Sequence, residues 1–90
     1  MPRYLVERTF AGRLDLPADA EGARVCAAMV EINAVQGVTW VHSYVTPDRT
    51  RMVCVCDAPS PEAVRCAALA NGQPVDRISE VRVLDPYFFH

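Results

Sequence analysis

Val38–Pro59, VTWVHSYVTPDRTRMVCVCDAP, holds two runs of β-branched and aromatic residues around a Pro-Asp-Arg turn. That pattern predicts a hairpin, and its register decides which residues share a face, because side chains along a strand alternate with period two. Pairing Val41 with Val55 and Ser43 with Val53 leaves the three-residue loop Pro47, Asp48, Arg49 and collects valines on one side. The other side then carries Trp40, His42 and Tyr44 opposite Cys56, Cys54 and Met52. A loop one residue longer would set His42 against Val55 and mix apolar with polar residues, so the three-residue loop is the favoured reading.

Working outward, RYLVERTF (Arg3 to Phe10) alternates as a first strand. A helix follows in ADAEGARVCAAMVEINAVQG, where Val25, Met29 and Ile32 recur at helical spacing and Gly37 supplies the stop. After the hairpin, SPEAVRCAALANG has Ser60 as N-cap, Pro61 at the first helical position, Glu62 in the acidic first turn and Gly72 past the end. RISEVRVLD reads as a last strand, and PYFFH as an apolar tail.

The order β-α-β-β-α-β predicts an α+β, ferredoxin-like domain spanning residues 1–90, with a four-stranded antiparallel sheet and both helices on one face. With the helices on the valine side, joined by Tyr4, Val6, Val81 and Val83, the open face would hold Leu5, Glu7, Trp40, His42, Tyr44, Cys54, Cys56, Ile78, Glu80 and Arg82. Such a face wants cover, and two of them packed together would form a dimeric α+β barrel. A homodimer is therefore expected, with Tyr87, Phe88 and Phe89 reaching across the seam and His90 at the loose end.

Ninety residues with 51% apolar content suffice for one core that a second subunit would help to bury. The net charge is −2, and the nine arginines are spread along a chain without lysine, which gives no concentrated field for nucleic acid. The aromatic and basic pattern of an RNA-binding sheet is also missing. No apolar run reaches membrane-spanning length and the first residues make no secretory segment, so no membrane association and a cytoplasmic location are expected. In that setting Cys26, Cys54, Cys56 and Cys66 read as thiols, and no C-x-x-C pair occurs.

In the favoured register His42 and Cys54 are directly opposed, within reach of one ion. With Glu7 or Glu80 they form a mixed N/S/O donor set suited to Ni²⁺, Zn²⁺ or Cu²⁺. The competing reading makes His42 the partner of a carboxylate at a dimer seam and the cysteines small core hydrophobes. A third option is an enzyme or small-molecule binder, with a ligand under Trp40 and Tyr44 and with His42 and Glu7 as acid and base. Cys26 and Cys66, on helices that press against the sheet, read as packing residues.

Four segments, YLVER, VTWVHSYVTPDRT, DAPSPEAVR and GQPVDRISEVRVLDP, resemble a family of small bacterial proteins classed as a domain of unknown function. Its characterised example is a nickel-binding protein with a dimeric ferredoxin-like fold. The resemblance implies that fold, a homodimer, and a non-catalytic role in sequestering or buffering nickel. It matches Glu7, His42, Tyr44 and Cys54 to family positions, and Glu7, His42 and Cys54 are the candidate metal ligands. Where members often read VREHA this chain reads VRCAA, so a helix histidine is replaced by Ala67 and a thiol stands beside it at Cys66.

Overall fold

A computed structural model describes residues 1–88, so Phe89 and His90, and what was expected of them, lie outside the described residues. The elements run β1 (Arg3–Thr9), α1 (Ala20–Val35), β2 (Thr39–Val45), β3 (Arg51–Asp57), α2 (Pro61–Ala70) and β4 (Arg77–Val81). The sheet order is β2-β3-β1-β4, every neighbouring pair is antiparallel, and both helices cover one face. This is the ferredoxin-like α+β arrangement expected from the element order.

Local chemistry sets the helix ends. The Asp19 carboxylate accepts hydrogen bonds from the backbone N–H groups of Glu21 and Gly22, capping α1. Ser60 accepts from Ala63 N–H ahead of Pro61, capping α2. Both helices close in the same way at the other end: Gly37 and Gly72 adopt positive φ, and the following residues donate back to Asn33 and Ala68. Val38 and Gln73 are thereby turned toward the next segment, and Val38 enters the core.

The core forms where Tyr4 and Val6 of β1, Met52, Cys54 and Cys56 of β3, and Val64 and Ala67 of α2 meet. Alternation along β1 and β3 buries every second residue. The placement of β1 agrees with the sequence reading, since Tyr4 and Val6 face the helices while Leu5 and Glu7 face away.

The placement of β3 does not agree. Trp40 does pair with Cys56, but the ladder then shifts by one residue, so that His42 pairs with Val55, Ser43 with Cys54 and Tyr44 with Val53. The loop is the cause. Pro47–Thr50 make a four-residue connection: Thr46 N–H donates to Arg51 O, Arg49 N–H donates to Thr46 O, and Arg49 sits at φ 62°. Asp48 holds the loop by accepting from Thr46 Oγ1, Thr50 Oγ1 and Thr50 N–H at 2.7, 2.8 and 3.1 Å. The extra residue is absorbed at Val41, where a bulge re-aims the strand. The cysteines thus replace the valines against the helices, and Val53 and Val55 occupy the open face.

β4 is corrected in both phase and length. Ile78 pairs with Val6 and Glu80 with Tyr4, placing both in helix-side rows. The strand ends at Val81, paired with Arg3, because the next ladder position on β1 is Pro2, which has no N–H to give. Val83 and Leu84 are exposed beyond it.

Candidate functional site

The open face is built in two cross-strand rows that bear on function. One runs Arg77, Glu7, Val53, Tyr44; the other runs Ser79, Leu5, Val55, His42. Glu7 is half-exposed, with Arg77 Nε 3.9 Å from its Oε2, a loose solvent-screened contact. His42 is exposed and meets the Tyr44 ring edge to face, with centroids 5.2 Å apart. Glu7 and His42 share the face but not a neighbourhood. With β3 between them and one row of offset, standard sheet spacings put their Cα atoms roughly 12 Å apart. A shallow groove of about 310 Å³ lies along the first row, touched by Glu7, Tyr44, Asp76 and Arg77.

Cys54 does not join them. It is 3% exposed on the opposite face, against the helices, and Cys56 is buried beside it. Burial pushes the Cys56 thiol up to about 11, which keeps it protonated at neutral pH. The expected trio Glu7, His42 and Cys54 is therefore split across the sheet, and among the described residues no three His, Cys, Asp or Glu side chains lie close enough to hold a metal ion. All four cysteines are free thiols.

Trp40 and Tyr44 are likewise separated by the bulge. The Trp40 indole packs against the core on the helix side, where Nε1 donates to Ser43 Oγ at 2.8 Å. Tyr44, 67% exposed, stands on the open face, so the two aromatics do not wall one cavity. Ala67 is buried beside Cys54 and contributes only a methyl group. Cys66 faces solvent, which corrects its reading as a packing residue; Cys26 is half-buried.

One residue with chemistry was overlooked. Arg8 shares the β1 phase of Tyr4 and Val6 and is buried among the helices, a placement that the period-two alternation of RYLVERTF already implied.

The model of the nickel responsive protein SCO4226-like family matches residues 4–81. The chain belongs to that family. Its match begins at Tyr4 and ends at Val81, so it takes in both rows of the open face and both helices. The crystal structure of SCO4226 from Streptomyces coelicolor A3(2) is similar in fold, with a TM-score of 0.72 at 17% identity over 92% of this chain and 99% of that one. No curated protein matches the chain at a significant level. No helix among the described residues is long and apolar enough to cross a membrane.

Proposed function

We propose that this member of the nickel responsive family binds a divalent cation of the nickel type through the open sheet face, and that it sequesters or buffers the ion in the cytoplasm rather than catalysing a reaction. The observation that carries the reading is the position of His42, an exposed imidazole on an uncovered face, in a chain that the family model matches almost end to end. Imidazole nitrogen with carboxylate oxygen suits borderline cations such as Ni²⁺, Zn²⁺ and Cu²⁺. Glu7 is the carboxylate on the same face.

One protomer does not make a closed site from these two groups. A second copy packed face to face would double the donors, and it would cover Leu5, Val53, Val55 and Tyr44, which are only half-buried or exposed in one chain. Two-fold pairing through this face is therefore part of the proposal. Cys54 has no part in it, since its thiol is directed into the core.

Calorimetry with Ni²⁺ on the tag-free protein tests the reading. A saturable heat that shrinks as the solution is acidified is the expected result, because protons compete with a metal for imidazole and carboxylate ligands. Absence of any heat with Ni²⁺, Zn²⁺ and Cu²⁺ would remove it.

A further inference from the structure

Cys54 and Cys56 stand two residues apart on β3, so both thiols leave the sheet on the helix side. Met52 precedes them in the same row. Together with Met29 of α1 and Trp40 of β2 they wall a cavity of about 20 Å³. That is room for one particle of water size, and a bare metal cation is smaller. Two thiols and two thioethers face this space, while among the described residues no imidazole and no carboxylate lines it. The Met29 sulfur lies 3.7 Å from Gln73 Nε2, another group of the same wall.

Such a donor set is soft. Thiolate and thioether sulfur selects Cu(I), whereas Zn²⁺ asks for four firm ligands and Ni²⁺ is well served by imidazole. Cu(I) is satisfied by two thiolates on opposite sides of the ion. The strand spacing allows that arrangement. Alternate residues of a strand are about 6.6 Å apart, and two sulfurs each about 2.3 Å from one ion stand about 4.6 Å apart. Each thiol has only to lean inward. Binding exchanges two thiol protons for one Cu⁺ and leaves a single negative charge on the pair. Arg8 lies in the same wall, and its charge acts to lower the Cys56 thiol against the burial that raises it to about 11. The guanidinium thus favours the thiolate that a metal requires.

We propose that the Cys54 and Cys56 thiolates bind one Cu(I) ion in this cavity, with the Met29 and Met52 sulfurs and the Trp40 indole beside it. The site lies on the opposite side of the sheet from Glu7 and His42 and does not depend on any metal bound there.

The probe is Cu(I) itself, supplied without oxygen as its bicinchoninate complex. It is offered to the tag-free full chain carrying Cys26→Ser and Cys66→Ser, which removes the two thiols outside the cavity. One Cu(I) per chain should leave the chelator, and the emission of Trp40, the single tryptophan, should be quenched in step. Adding Cys56→Ser should weaken uptake by at least about a hundredfold. No uptake, equal uptake with and without Cys56, or uptake that leaves Trp40 emission unchanged would overturn the proposal. X-ray absorption on the loaded Cys26→Ser, Cys66→Ser chain gives a second reading with the cavity residues intact. A first shell of sulfur alone is expected, and nitrogen or oxygen in that shell would overturn the proposal.

Discussion

His42 and Cys54 stand on neighbouring strands, one step apart in the ladder, and their side chains leave the sheet in opposite directions. The imidazole is in solvent on the open face and the thiol is sealed under the helices. The four-residue loop Pro47–Thr50 thus separates two residues that a three-residue loop would oppose, and the bulge at Val41 only restores the pairing of Trp40 with Cys56.

The four thiols should accordingly differ in reactivity. Exposed Cys66 is expected to be alkylated first, half-buried Cys26 next, and Cys54 and Cys56 only when the chain opens. Raising the pH from 7 to 9 should not unmask Cys56, whose thiol burial holds at about 11. Mass spectrometry of timed iodoacetamide labelling reads the order, and early modification of Cys54 or Cys56 in the folded protein would contradict it.

Gly22, at the start of α1, is expected to tolerate no side chain. A Cβ there would lie 1.6 Å from the Pro17 carbonyl oxygen, which belongs to the backbone and cannot simply swing away. Gly22→Ala should destabilise the fold by about 1–3 kcal/mol, as overpacking does. Asp19→Ala, which removes the cap without a clash, should cost about 1 kcal/mol. Urea midpoints check both, and a neutral Gly22→Ala would refute the close approach.

The loop that sets the register should carry an acid signature. Hydrogen bonds from Thr46 and then Thr50 lower the Asp48 carboxyl from its ordinary 3.8 to about 2. A carboxyl whose folded value is depressed contributes stability above its unfolded value, and that contribution is lost as the pH falls toward the folded value. The loss from Asp48 therefore falls between about pH 3.8 and 2. Asp57, lowered chiefly by its hydrogen bonds with Arg3 at 2.8 and 3.1 Å, acts in the same direction. Asp48→Asn should flatten the acid limb of the stability curve below pH 4, and an unaltered limb would contradict the assignment.

Pairing through the open face predicts a light-scattering mass near twice 9.9 kDa at micromolar concentration. Val55→Glu, which places a charge beside His42 in the centre of that face, should give a monomer with unchanged circular dichroism. A monomeric wild type would remove the dimer from the proposal.

Where the sequence was read correctly, a local signal and the tertiary fold agreed. Ser60 with Pro61 and Glu62 marks the start of α2, Gly37 and Gly72 mark the helix ends, and the alternation of Tyr4 and Val6 with Leu5 and Glu7 fixes the phase of β1. The phase of β3 was hidden because it depends on a non-local compensation. Asp48 and Arg49 build a longer loop, and Val41 absorbs the added residue eight positions before Arg49. Composition does not choose between the two faces of β3 either, because free cysteine is buried as often as valine. Glu7, His42 and Tyr44 lie on the open face as the alternation predicts, whereas Cys54 and Trp40 lie on the helix side.

The most direct test of metal binding on the open face is a Ni²⁺ titration of the tag-free wild type, His42→Ala and Cys54→Ser in parallel. With His42 a ligand and Cys54 buried on the far side, the histidine variant should bind at least about tenfold more weakly, a loss of roughly 1.4 kcal/mol, while the cysteine variant keeps the wild-type affinity. Unchanged affinity in His42→Ala, with loss in a folded Cys54→Ser, would contradict the proposal and move the metal to the helix side of the sheet.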